Sequence, residues 1–203
     1  HKLNNGQIIT VLPGSRLGEI KRMSPIFNEV LININRIYPD AQFILPVASA
    51  VEVNVINAVK YWGVKPLLLL NDFKTPQEVE YDKFLSYSIS SAALATSGTV
   101  SLELASQKCP MVVAYKASWI TTRMVKKLAK IDTANLINII TNSRIIPEHL
   151  FEECTANKIT NSLRSLLEND SNQITAMTET MNQLGINKKD KHLLAAKSVL
   201  KNI

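Results

Sequence analysis

Two short stretches carry residue types whose spacing suits chemistry on a phosphate. The first is Ser97-Gly98-Thr99, with Glu103 following. It lies between an apolar run ending at Ala95 and a helical pattern. Free backbone N–H groups and the positive end of a helix dipole converge at such a junction. Glu103 is four residues past Thr99, which puts both on one helical face. A carboxylate in that position accepts two hydrogen bonds, as a ribose diol would donate. The competing reading is an N-capped helix with a dipole-favoured glutamate. That reading explains Thr99 and Glu103 but not the Ser-Gly pair ahead of them. The second stretch is Pro13-Gly14-Ser15-Arg16. Gly14 allows an unusual backbone angle, and Ser15 and Arg16 offer an oxyanion a hydroxyl and a bidentate guanidinium. Alone it also fits an ordinary strand-to-helix turn with a surface arginine. It is neither a P-loop nor a G-x-G-x-x-G fingerprint.

The elements that must position these turns follow from periodicity. Gln7 to Leu12 reads as a β-branched strand, and residues 17 to 37 repeat apolar side chains at helical spacing. Ala41 to Val47 is a second strand with Pro46 near its end, Val51 to Trp62 a helix, and Gly63 its C-cap. Pro66 to Leu70 is a third strand, and its unbroken apolar run predicts cover on both sheet faces. Pro76 opens a helix reaching about Tyr87; strands follow at Ile89 to Ala95 and Met111 to Tyr115, with the Ser-Gly-Thr helix between them. Five such alternations predict an α/β fold, a Rossmann-like doubly wound parallel sheet whose ligands sit at the carboxyl ends of the strands. Trp119 to Lys130 reads as a basic amphipathic helix, suited to core packing or to an anionic bilayer. Residues 133 to 146 are less regular. Thr155 caps a helix over 156–169, Ser171 another to about Leu184, and a last helix runs from Asp190 to Ile203. The expected division is a nucleotide-binding domain over 1–170 and a helical C-terminal tail over 171–203, too short for a core of its own.

Composition narrows the class. With 46% hydrophobic and 20% charged residues the chain is globular rather than disordered. The net charge of +6 fits an anionic ligand, an acidic membrane or simply a basic surface. Scarce aromatic residues argue against a base-stacking platform, so no nucleic-acid partner is expected. Cys109 and Cys154 are too few and too far apart for a disulfide framework or a zinc site, and read as buried free thiols. His1, His149 and His192 are dispersed, and no Asp-x-Asp pair is available to hold a divalent ion on a diphosphate. No metal and no cofactor are expected. There is no signal-peptide pattern and no run long enough to span a bilayer. The chain opens on His1 rather than Met and is read as a trimmed segment.

Taken together, VLPGSRLGEI (11–20), TSGTVSLELA (96–105), CPMVVAYK (109–116), PEHL (147–150) and EEC (152–154) resemble the C-terminal half of the lipid-A-disaccharide synthases, bacterial glycosyltransferases of the GT-B class. The resemblance covers roughly residues 7–170 and rests on PGSR-x-x-E combined with SGT-x-x-LE and PMVV-Y-[KR]. It implies two Rossmann-like halves facing across a cleft, of which this one holds the sugar nucleotide. It implies transfer of 2,3-diacylglucosamine from UDP to 2,3-diacylglucosamine 1-phosphate, with inversion and release of UDP, and without a metal. By position, Ser15 and Arg16 would line the cleft near the donor phosphates, Ser97, Gly98 and Thr99 would cradle the diphosphate, Glu103 would bind the ribose, and Asn138 would face the active site.

The sequence departs from the family's pattern at Ile137, Ser143 and Phe151. The resemblance also implies that acceptor binding and the general base belong to an N-terminal half absent here. The partners implied are the UDP-linked acylated donor, an anionic lipid acceptor and the inner-membrane surface. The C-terminal tail, with no complete core of its own, is expected to pack back on this protein or on a partner chain as a homodimer. The implied location is cytoplasmic, peripheral at the inner membrane of a Gram-negative bacterium. Two rivals stand beside it: another GT-B UDP-sugar transferase or epimerase, and a non-catalytic nucleotide-binding module.

Overall fold

A computed structural model describes residues 6–96, 98–116, 133–169 and 172–185. In chain order these form β1 (Ile8–Leu12), α1 (Leu17–Ile37), β2 (Gln42–Pro46), α2 (Glu52–Val59), β3 (Leu67–Leu69), α3 (Pro76–Ile89) and β4 (Ala92–Thr96). There follow α4 (Val100–Ser106), β5 (Met111–Tyr115), α5 (Leu136–Ile140), β6 (Glu148–Leu150), α6 (Ala156–Glu168) and α7 (Gln173–Gln183). The strands make one sheet in the order β3-β2-β1-β4-β5-β6, and every pairing is parallel. The order reverses between β1 and β4. In such sheets the two neighbouring strands send their connections to opposite faces, opening a crevice beyond their carboxyl ends.

Side-chain alternation along the central strands divides the interior in two. Ile9, Val11, Ala92, Leu94, Val112 and Ala114 point to one face, where Phe27, Leu31 and Ile34 of α1, Val55 of α2 and Ile159 of α6 cover them. Ala93, Ala95, Met111 and Val113 point to the other, against Tyr87 of α3, Leu104 of α4, Ile137 of α5 and Met177 and Met181 of α7. The small alanines of β4 let helices approach the middle of the sheet from both sides. Gln173 ties α7 to the sheet: it accepts from the Met111 N–H (2.8 Å) and donates to the Met111 carbonyl (3.0 Å). The described part of the C-terminal segment therefore packs on the same domain.

The doubly wound parallel sheet agrees with the sequence-based expectation, and several details differ from it. β3 is an edge strand with Leu67 62% exposed, so its apolar run does not mean cover on both faces. The helix before it ends at Val59, and Gly63 instead donates its N–H to Asn28 Oδ1 at 2.8 Å. Ile89 ends α3 rather than starting β4. α5 and β6, within or just after the stretch read as irregular, are additional elements; β6 is three residues of mixed polarity that the sheet recruits by pairing with β5. α7 starts after Asn172. The cap assigned to Ser171, the basic helix over 119–130 and the last helix over 190–203 lie outside the described residues. Cys109 and Cys154 are buried free thiols, and burial pushes them up to about 12 and about 11.

Candidate functional site

A cleft of about 710 Å³ opens beyond the carboxyl ends of β1 to β4. Its walls are the segments that follow those strands, residues 12–16, 46–49, 69–71, 96 and 98–100, closed on one side by α3 and α4. This is the crevice that the reversal in strand order creates, and its size suits a nucleotide-sized ligand.

The turn after β1 is braced by its own glutamate. Glu19 Oε2 accepts from the backbone N–H of Ser15 (3.0 Å) and of Arg16 (3.3 Å), and Oε1 accepts from Arg16 Nη1 (3.1 Å). The Ser15 and Arg16 amides, just ahead of α1, are thereby spent on Glu19. What this turn presents to a ligand is the Ser15 hydroxyl and the Arg16 guanidinium, both exposed. Gly14 is required by this arrangement: its φ is +123°, and a Cβ there would stand 2.5 Å from Glu19 Cβ. The Arg16–Glu19 pair, with the Arg16 side chain 82% exposed, is worth at most about 1 kcal/mol. An incoming phosphate can recruit the guanidinium at little cost.

The turn after β4 is open. Gly98 has φ +151° with nothing within 4 Å of an added Cβ, so its backbone conformation, not crowding, calls for glycine. Thr99 precedes α4, is exposed, and makes no side-chain capping bond, which leaves its hydroxyl for a ligand. Thr96, the last residue of β4, is 3% exposed and its Oγ1 has no hydrogen-bond partner. Glu103 stands one turn into α4, partly exposed in the cleft wall. Its Oε2 lies 3.2 Å from Lys83 Nζ and accepts from Tyr87 Oη at 3.4 Å. Burial, with Glu103 alongside, pushes the Tyr87 phenol well above its ordinary range, so it stays a donor at neutral pH.

Of the residues singled out in sequence, Ser15, Arg16, Gly98, Thr99 and Glu103 come together around this cleft. Ser97 lies outside the described residues. Asn138 is not brought to the cleft. It is fully buried beside the start of β6, where Nδ2 donates to the Ile146 carbonyl (2.9 Å), Thr133 Oγ1 (3.3 Å) and Glu148 Oε2 (3.1 Å), and Oδ1 accepts from the Ile146 N–H (2.9 Å). With every polar atom engaged in holding that loop, it has none to offer a ligand here. Among the described residues no group of three or more His, Cys, Asp or Glu side chains is placed to hold a metal, and no helix is long and apolar enough to cross a membrane.

Sequence reading missed the walls that β2, β3 and α3 contribute. The segments after β2 and β3 were findable, because they occupy the same carboxyl edge. Lys83 and Tyr87 were not, because nothing local says that α3 packs on α4. The electrostatics were also hidden. The net charge is positive, yet the cleft lining holds Arg16, Lys74 and Lys83 against Glu19, Glu80, Asp82 and Glu103. Each cation is already paired: Arg16 with Glu19, Lys74 with Asp82 at 2.7 Å and Lys83 with Glu103. A phosphate reaching Arg16 would do so by exchanging partners with Glu19 rather than by falling into a positive well.

Comparison with known proteins agrees with this geometry. The family model described as lipid-A-disaccharide synthetase matches residues 2–201. The lipid-A-disaccharide synthase of Ruegeria pomeroyi is 35% identical over 198 residues, covering 98% of this chain and 49% of that protein. That of Rickettsia prowazekii is 36% identical over 184 residues, covering 89% and 46%. A probable mitochondrial lipid-A-disaccharide synthase of Arabidopsis thaliana is 37% identical over 166 residues, covering 81% and 35%. The chain thus spans about half the length or less of these relatives. A match along nearly the whole chain, on a sheet whose switch-point cleft gathers the two motif turns, places it: this chain belongs to the lipid-A-disaccharide synthetase family.

Proposed function

We propose that the cleft binds the diphosphate and ribose of a UDP-linked 2,3-diacylglucosamine. The chain would then be the donor-binding part of a lipid-A-disaccharide synthase, an inverting hexosyltransferase that passes the acylated sugar to 2,3-diacylglucosamine 1-phosphate and releases UDP. The observation that carries this reading is the placement of Arg16 and of Gly98, Thr99 and Glu103 around one cleft at the β1/β4 switch point. The diphosphate lies against the backbone at Gly98 and the Thr99 hydroxyl, with Ser97 assigned there by the motif. Arg16 turns from Glu19 to a phosphate oxygen, and Glu103 takes the ribose hydroxyls. As the bond from the anomeric carbon to the diphosphate breaks, negative charge grows on the departing oxygen. Arg16, once turned from Glu19, and the donors of the β4 turn meet that charge.

The acceptor hydroxyl attacks the opposite face of the anomeric carbon and gives up its proton to a base. Relatives about twice as long as this chain support assigning that base, and the acceptor site, to sequence outside these 203 residues. The chain alone is accordingly expected to bind UDP and to make no disaccharide. The net charge of +6 favours peripheral attachment to an anionic inner-membrane surface, where acylated substrates reside. A homodimer through the C-terminal tail (171–203) remains part of this reading, and most of that tail lies outside the described residues.

Calorimetric titration tests the site. The chain is expected to bind UDP, and Glu103→Ala to bind it at least about tenfold more weakly, the worth of a hydrogen bond to a charged group. Equal affinity would remove the ribose assignment, and no binding by the wild-type chain would remove the donor-site reading.

A further inference from the structure

Glu103 is held by a second helix. Lys83 and Tyr87 are one turn apart on α3, so their side chains leave the same face, and α3 packs on α4. Both reach the same atom, Glu103 Oε2, at 3.2 and 3.4 Å. Tyr87 is 1% exposed and has no room to swing away. Phe84 steadies the pair: its ring meets Tyr87 edge-on, with centroids 5.8 Å apart, and the Lys83 ammonium lies 4.8 Å from its centre. The carboxylate is therefore gripped through one oxygen from the α3 side, and Oε1 makes neither contact. An unrestrained glutamate on a cleft wall would have to surrender its rotamer freedom each time a ligand bound.

We propose that Lys83 and Tyr87 are positioning residues that fix Glu103 so that Oε1 meets the ribose hydroxyls of the nucleotide. The inference rests on the assignment of Glu103 to the ribose and adds the two residues that make the assignment selective. A purely structural role for the α3 pair would change stability without changing which nucleotide is preferred. Positioning changes the preference itself.

The test is calorimetric titration of the chain with UDP and with its 2′,3′-dideoxy analogue. The wild-type chain is expected to prefer UDP by about tenfold or more, and Glu103→Ala to bring the two within about threefold of each other. Lys83→Met and Tyr87→Phe are expected to lose most of the preference, while their affinity for the dideoxy analogue stays within about threefold of wild type. Lys83→Arg, which keeps a cation in reach of Oε2, retains it. Full preference in either Lys83→Met or Tyr87→Phe, with Glu103→Ala having lost it, overturns the positioning role of that residue and leaves the ribose assignment standing. Full preference in Glu103→Ala overturns the ribose assignment and the inference with it.

Discussion

Replacing Gly14 by alanine should loosen the first turn of the site, and the structure gives the size of the effect. The native φ of +123° is closed to side chains, and the new Cβ would stand 2.5 Å from Glu19 Cβ and 2.7 Å from its Oε2. Strain of this kind costs about 1–3 kcal/mol. Pushing Glu19 away also frees the Ser15 and Arg16 amides it caps, a loss of about 0.5–2 kcal/mol. Together these give roughly 1.5–5 kcal/mol, or a melting temperature lower by about 3–20 °C in a chain of this size. Thermal unfolding followed by circular dichroism measures it. Gly98→Ala is the control: it also has positive φ, but its Cβ meets nothing within 4 Å and displaces no cap. It should lower the melting temperature by less. Equal shifts in the two variants, or no shift in Gly14→Ala, would refute the role given to Glu19.

Asn138→Ala strands the buried Ile146 N–H and carbonyl that Asn138 now satisfies, at a cost on the order of 2–4 kcal/mol. The folded variant should still bind UDP with wild-type affinity, and a selective loss of UDP binding would return Asn138 to the cleft. His149, hydrogen-bonded to Ser162 Oγ at 2.9 Å, is pushed below its ordinary value of 6.5 chiefly by burial. Below that value the unfolded chain takes up the proton more readily than the folded one. Stability should therefore fall as pH drops through 6.5, with no His149 contribution above it. Urea unfolding across that range should show a flatter dependence in His149→Gln, and identical slopes would contradict the assignment.

The parallel sheet was legible because its signals are local. β-branched and apolar runs, helical periodicity and turn residues recur in alternation, which is the pattern of a parallel α/β sheet. The site turns were legible for the same reason: glycine with small polar residues at a strand end marks a backbone open to a ligand. The misreadings have a shared cause. PLLLL looked covered on both sheet faces and is a partly exposed edge, because a strand's place in the sheet is decided by sheet order, not by its own residues. β6 went unseen because three mixed residues have no pattern of their own and become a strand only beside β5. Asn138's surroundings were equally hidden: Thr133, Ile146 and Glu148, which take up its hydrogen bonds, reach it only through the fold.

The amino-acid sequence by itself determined the class of fold, the two motif turns and the chemical types available at each: a guanidinium, hydroxyls, an open glycine backbone and one carboxylate. These depend on residues near one another in the chain. Only the tertiary structure decided how those groups are set. It spent the Ser15 and Arg16 amides on Glu19, paired each cleft cation with a carboxylate, and brought Lys83 and Tyr87 from α3 onto Glu103 of α4. Such contacts join residues far apart in the chain, and they form because covering both faces of one sheet forces particular helices together.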